Sequence, residues 1–365
     1  MKALRVYIVL FGFSPSSTVR GSVFEGELSK QGLDPVVFQI QSRHAVSMRR
    51  RVSKWPKLAS LVARVLIRIY KALYEALRSL QLLSVLPRAH AVMVIKYCPH
   101  WLMPLIQKRA RGRVLYDFDD PMWLESFVGE DEFRHLVRNA DFVSTDNTLM
   151  LEKTQKIHSR AFVVRGPSQI EVFEASPPVK IPRRSAGTLV VGWVGSQGTL
   201  PYLDQVIPSL RALHVQGVDF IFRIVGSGRA DLTDRLKGVP FETVDFYDQA
   251  RMVSEVQNLD IGLFPLFSDD ELSVFRGTLK ARIYMSGGVP VIASDIGLMR
   301  EIIRDGENGL LVSGADEWEE KIKMLALDSQ LRTKMGEAGR KTVSENYRLR
   351  HSFEDLKKGF FDELR

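Results

Sequence analysis

The chain of 365 residues is 45% hydrophobic and 26% charged, carries a formal net charge of +8 and holds one cysteine, Cys98. That length exceeds what one hydrophobic core comfortably serves, so two domains are expected, and the composition excludes a disordered or fibrous chain. A lone cysteine excludes an intrachain disulfide; the opening MKALRVYIVLFGF lacks a signal cleavage site; and Arg64, Arg68 and Lys71 interrupt LASLVARVLIRIYKALYEAL, excluding a membrane span of roughly 20 apolar residues, so a reducing cytoplasm is expected.

In chain order, LRVYIVL, PVVFQI, AVMVIK, RVLYDF, DFVST and AFVVR read as strands, with helical spacing between them. Such alternation predicts a parallel sheet covered on both faces. From the end of the second strand to the start of the fourth the charge is lopsided: residues 43–113 hold sixteen Lys and Arg against Glu75 alone. Within that stretch Leu58, Leu61, Val62, Val65, Leu66, Ile69, Leu73, Leu77 and Leu80 share one helical face, and Arg64, Arg68, Lys71, Glu75 and Arg78 recur on another. Two readings stay open for this segment. Its apolar face packs on a core beneath a solvated basic face, or residues 43–80, with Trp55 as an interfacial anchor, contact an anionic membrane surface. Nucleic acid is not the expected partner, because no recognisable reading motif accompanies the charge and residues 181–365 are net negative.

EASPPVKIPRRSAG, 174–187, is rich in Pro, Ser and Arg without periodicity and reads as a linker. The strand pattern then restarts with TLVVGWV, DFIFRIVG, FETVDF, DIGLFPL, VPVIAS and GLLV, and a helix is expected near 200–213. The predicted domains are 1–173 and 188–345, followed by a helical segment 346–365 that returns to the first. In GWVGSQGTLPYL a glycine-lined turn leaves a strand, and Thr199 is expected to cap a helix with Pro201 in its first turn. Such a turn aims backbone N–H groups at one spot and suits a phosphate, although a merely tight turn has the same appearance. RGTLKARIYMSGGVPVIAS places Arg276 and Lys280 four residues apart at an expected helix start, against the dipole preference for acidic groups there. A bound dianion explains the mismatch; salt bridges to Asp269, Asp270 or Glu271 are the competing explanation.

The segment DIGLFPL…GTLKARIYMSGGVPVIASDIGLMREIIRDGENGLLV resembles the C-terminal signature of the group 1 retaining glycosyltransferases of GT-B fold. LVVGWVGSQGTLPYLDQVIPSL, SPSSTVRG and VLYDFDDPMW are similar to a branch of that family active on cell-surface glycans. The resemblance implies an α/β chain of two facing Rossmann-like, doubly wound domains with an interdomain cleft and a C-terminal helix crossing back. It implies a nucleotide-diphosphate sugar as donor, held mainly by the second domain, a glycan or lipid-linked acceptor on the first, and no cofactor or obligatory metal.

Residue by residue, the resemblance implies that Lys280 and Arg276 clamp the donor diphosphate and that Gly195, Ser196, Gly198 and Thr199 form its phosphate loop. Glu301 and one of Asp269, Asp270 or Glu271 would meet the donor sugar or ribose, and Phe246 and Tyr247 the base. Asp119 falls where an active-site histidine is common, and Asp117, Asp120 and Arg20 would help hold the acceptor. The D-x-D look of DFDD is set aside as a metal site, since it ends a strand in a fold that needs no metal. One departure stands out: the family's two glutamates eight positions apart are Phe275 and Ile283 here. Such a lost charged contact is worth about 1.5–3 kcal/mol. The expected function is therefore retaining transfer of a sugar to a lipid-linked or polysaccharide acceptor at the inner face of a bacterial plasma membrane. The rival is a non-catalytic, glycosyltransferase-like binding subunit of a glycan assembly complex.

Overall fold

The computed structural model describes residues 4–12, 20–42, 48, 57–176, 187–226, 231–245 and 249–364, without the side chains of 57–60 and 249. Phe246, Tyr247, most of the expected linker and the basic run 43–56 except Met48 lie outside the described residues. The chain divides into two compact units, Met1–Gly166 with Ser352–Arg365, and Pro167–His351.

The first unit is built on β1 (Leu4–Leu10), β2 (Leu33–Gln39), β3 (Ala91–Ile95), β4 (Val114–Phe118), β5 (Phe142–Thr145) and β6 (Ala161–Val163). All are parallel, in the order β2-β1-β3-β4-β5-β6. Val6, Ile8, Val92, Val94 and Leu115 are fully buried, as expected for Val/Ile-rich strands covered on both faces. The terminal segment completes this unit: Phe353 packs near Phe24 and Phe360 against Phe142, with ring centroids 6.3 and 5.2 Å apart. Asp355 accepts two bonds from the Arg165 guanidinium, at 2.7 and 2.9 Å.

A 29-residue helix, Lys57–Val85, crosses from β2 toward β3. It docks by its C-terminal part, where Ser79, Leu82 and Leu83 are buried, Arg78 lies 4.0 Å over the Phe38 ring, and Arg78 Nε donates to the Gln39 carbonyl at 3.1 Å. The expected apolar face is present, but it does not pack on a core. Leu61, Val62, Val65, Leu66, Ile69, Leu73, Leu77 and Leu80 are all exposed. Among the described residues no helix is long and apolar enough to cross a membrane.

The second unit carries β7 (Leu189–Val194), β8 (Phe220–Val225), β9 (Phe241–Val244), β10 (Ile261–Phe264), β11 (Val291–Ser294) and β12 (Leu310–Val312), again parallel, in the order β12-β11-β10-β7-β8-β9. The short helix Ile170–Ala175, which the sequence reading left with the first domain and its linker, belongs here: Ile170 and Phe173 join the core of Tyr284, Val256 and Val343. On β8, the buried Arg223 bonds Glu242 of β9 at 2.5 Å and Glu255 at 3.3 Å, so its charge is neutralised where water cannot reach it.

Strand order reverses between β7 and β10, and this is where an open α/β sheet offers a crevice at its carboxyl edge. The two strands pair only at Ile261↔Val191 and Gly262↔Gly192. Beyond that point the Tyr284 hydroxyl fills the gap, accepting from the Val194 N–H at 2.8 Å and donating to the Leu263 carbonyl at 3.1 Å. Tyr284→Phe leaves the buried Val194 N–H without a partner and is expected to cost about 1–3 kcal/mol of stability, read as a lower urea midpoint at unchanged slope.

Candidate functional site

Three segments meet over the crevice of the second unit. The first is the glycine turn after β7. Gly195 there cannot carry a Cβ, which would lie 2.3 Å from the Trp193 ring and 2.8 Å from Thr199 Oγ1. The helix expected near 200–213 is present but split, and Ser196 rather than Thr199 stands at its cap position. Gln197–Gln205 is a 3-10 helix entered from Ser196, and the α-helix runs over Ile207–Val215. Pro201 lies inside that tighter turn, where it has no N–H to give an α-helical ladder. Thr199 donates from both its N–H and its Oγ1 to the Ser196 carbonyl at 2.9 Å, while Ser196 and Gly198 are exposed.

The second segment follows β10. Asp270 caps the short helix Glu271–Phe275, accepting from the Leu272 N–H at 3.2 Å, from Ser273 Oγ at 2.7 Å and from the Tyr202 hydroxyl at 2.7 Å. Burial opposes its charge, but these bonds and the nearby Arg276 hold its carboxyl below the usual range. Asp270 is thus committed to local structure, whereas Asp269 and Glu271 are exposed. Arg276 is not on the following helix, as the sequence spacing suggested; it sits in the break between Glu271–Phe275 and Leu279–Ser286. Its guanidinium lies 5.3 Å from the Tyr202 ring centroid, and its buried Nε has no hydrogen-bond partner among the described residues.

Lys280, in the first turn of Leu279–Ser286, reaches the glycine turn. Its Nζ donates to Thr199 Oγ1 at 3.4 Å and stands 4.7 Å from the Trp193 ring centroid and 5.7 Å from that of Phe264. Among the described residues neither Lys280 nor Arg276 forms a salt bridge, so the ion pairs proposed with Asp269, Asp270 or Glu271 do not form. Burial, with Arg276 adding repulsion, pulls the Lys280 ammonium down to about 7. The ammonium is thus held over aromatic faces with no carboxylate in contact among the described residues, which leaves its charge uncompensated.

The third segment follows β11, where Gly297 (φ +56°) approaches the Val274 carbonyl so closely that a Cβ would lie 2.2 Å from it. Glu301 lies beyond, exposed on the four-residue helix Met299–Ile302. Ile283, where the family has a glutamate, is 9% exposed and part of the core.

The first-unit candidates separate into two groups. Arg20 and Asp117 are 1% and 3% exposed and face each other: Arg20 Nε donates to Asp117 Oδ2 at 3.0 Å, Nη1 to Asp146 Oδ1 at 3.3 Å and also to the Val164 carbonyl, while Ser144 Oγ donates to Asp117. Both are therefore framework groups rather than surfaces open to an acceptor. Asp119 and Asp120 are partly exposed at the end of β4 beside Lys96, whose Nζ contacts Asp120 and lies 3.9 Å from Asp119 Oδ1. That oxygen is buried without a hydrogen bond among the described residues. Burial and the Asp120 charge raise the Asp119 carboxyl to about 7, against the pull of Lys96 and Arg20. Arg20 thus neutralises Asp117 and Lys96 neutralises Asp120, while Asp119 is left with Lys96 at 3.9 Å.

Sequence reading missed Trp193, Tyr202, Phe264 and Tyr284. Trp193 and Phe264 stand at strand ends and Tyr202 and Tyr284 on the helical segments Gln197–Gln205 and Leu279–Ser286, but only strand order shows that they converge.

Residues 188–328 match the model of the family described as glycosyl transferases group 1. No curated protein matches the chain in sequence. Among solved structures, a glycosyltransferase from Rickettsia africae is similar over 100% of both chains with TM-score 0.67 at 13% identity. HepE of Anabaena, in complex with UDP and glucose, is similar over 98% of this chain and 100% of its own, with TM-score 0.66 at 13% identity. Sucrose-phosphate synthase from Thermosynechococcus elongatus covers 99% and 100%, with TM-score 0.63 at 13% identity. At such identities the likeness is one of fold, that of the GT-B glycosyltransferases.

Proposed function

From a second unit that holds a group 1 glycosyltransferase domain within a GT-B chain, we propose that the protein is a retaining glycosyltransferase. It moves a sugar from a nucleotide-diphosphate donor to a lipid-linked or polysaccharide acceptor of cell-surface glycan synthesis, at the inner face of a bacterial plasma membrane. One observation carries the donor half of this reading: the Lys280 ammonium stands on Trp193 and Phe264, hydrogen-bonded among the described residues only to Thr199, beside the unpartnered Arg276 Nε. The structure of HepE with UDP and glucose supports the same donor class.

Lys280, Arg276 and the turn Gly195–Thr199 take the diphosphate, the turn through the backbone amides of Ser196 and Gly198, since those of Gly195 and Thr199 already donate to the Val225 and Ser196 carbonyls. As the bond from the anomeric carbon to the leaving phosphate breaks, charge grows on that phosphate, and the two cations stabilise it, so no metal ion is needed for that role. In the retaining course the acceptor hydroxyl attacks from the face the diphosphate leaves, and a departing phosphate oxygen takes its proton. On the first unit Asp119, with an oxygen free of hydrogen bonds among the described residues, accepts from another hydroxyl of the acceptor and so orients it, and Asp120 with Lys96 fixes its surroundings. Glu301, Asp269 and Glu271 are exposed acceptors for sugar or ribose hydroxyls.

The test is release of nucleoside diphosphate over a panel of nucleotide sugars, with membrane extract supplying acceptors. Turnover with one donor supports the reading. Binding without turnover instead supports the non-catalytic subunit, which Ile283 favours, because its place in the core leaves no polar group there for the donor.

Lys280 also makes donor binding depend on pH. The free-site ammonium titrates near 7 and the bound diphosphate raises it, so above pH 7 binding takes up a proton and weakens as pH rises. Affinity for a nucleotide sugar, whose diphosphate does not titrate there, is expected to fall up to about tenfold per pH unit above 7. Calorimetry in buffers of different ionisation enthalpy would read the proton uptake, and Lys280→Met would abolish it.

A further inference from the structure

A surface helix of a folded domain ordinarily turns its apolar stripe to the core, and contiguous apolar patches larger than a few hundred Å² mark interaction sites. In Lys57–Val85 the stripe faces outward: Leu61, Leu66, Leu73, Leu77 and Leu80 are 59, 61, 61, 62 and 63% exposed. At 1.5 Å per residue it runs about 28 Å from Leu61 to Leu80. The buried contacts of the helix come instead from Ser79, Leu82 and Leu83 near its end.

Charge decides what covers this face. Arg64, Arg68 and Lys71 flank the stripe, and Arg43, Arg49, Arg50, Arg51, Lys54 and Lys57 precede it in sequence, with no acidic residue from 43 to 74. A second copy of the helix would bring cations against cations, so self-pairing is disfavoured. The occupant must offer an apolar layer bordered by negative charge, and among the described residues no helix is long and apolar enough to cross that layer. We propose that this helix lies in the surface of an anionic lipid leaflet, its leucines in the acyl boundary and its basic residues at the phosphates. The leucines supply the anchoring and the basic residues the attraction, so binding falls with salt but is not abolished by it. This deepens the proposed function, since a lipid-borne acceptor is met at the surface where the first unit docks, yet it stands on observations outside the donor site.

The full-length protein is floated with vesicles of phosphatidylcholine alone and of phosphatidylcholine with phosphatidylglycerol. It is expected to rise with the anionic vesicles and much less with the zwitterionic ones. The combined variant Leu66→Gln, Leu73→Gln and Leu77→Gln, all at exposed positions that tolerate a helix former, is expected to lose about a hundredfold in partitioning. Nucleoside diphosphate binding, measured on the same variant, is expected to be unchanged and separates this proposal from the donor reading. Flotation of the variant like the wild type would overturn the proposal, as would a wild type that does not float. In that second case light scattering would show whether the leucines join two copies or the chain is a monomer whose stripe serves a protein partner.

Discussion

Replacing Lys280 by alanine is expected to lower the rate of glycosyl transfer by about two to three orders of magnitude, the usual cost of removing one group that stabilises charge developing on a leaving oxygen. The fold should tolerate the change. Lys280 is a partly buried cation resting on Trp193 and Phe264 with one long hydrogen bond to Thr199, so its removal relieves a desolvation penalty rather than breaking an ion pair. Nucleoside diphosphate release at saturating donor, measured beside the thermal midpoint, separates the two effects: a slow variant with an unchanged or higher midpoint supports the assignment, and normal transfer contradicts it.

The second large effect falls on stability. Arg20→Ala would leave Asp117 and Asp146 facing each other in the interior of the first unit without the guanidinium that neutralises both. A broken buried pair of this kind costs about 3–5 kcal/mol. Burial works against the Arg20 charge and the two aspartates more than offset it, raising its pKa. Denaturant unfolding of the variant should show that loss at neutral pH. An Arg20→Ala protein of wild-type stability and reduced activity would restore the acceptor role that the sequence resemblance implied.

Arg20 shows where legibility in the sequence ends. Its place after the first strand, in a segment similar to the family's, marks it as special, but only the packing of β1, β4 and β5 shows that it meets Asp117 rather than a ligand. The twelve strands were legible because parallel strands buried on both faces are written as unbroken Val, Ile and Leu runs, as in LRVYIVL and AVMVIK. Lys280 was legible as a cation where a helix start prefers an acid. The aromatic floor beneath it was not, because Trp193 and Phe264 lie on strands about seventy residues apart that adjoin only through the reversal between β7 and β10. Pro201 announced a helix start yet sits inside a 3-10 turn. The stripe from Leu61 to Leu80 was legible as periodicity, but periodicity states which residues share a face and not what that face meets.

The grip on a diphosphate is tested most directly by calorimetric titration of the full-length protein with nucleoside diphosphates and, in parallel, with the corresponding nucleosides. Two charge-assisted contacts from Lys280 and Arg276 are worth about 1.5–3 kcal/mol each. One diphosphate is predicted to bind at least about a hundredfold tighter than its nucleoside, with Lys280→Ala removing about half of that difference in free energy. Equal affinity for nucleoside and diphosphate, or a difference that Lys280→Ala leaves unchanged, would contradict the proposed grip.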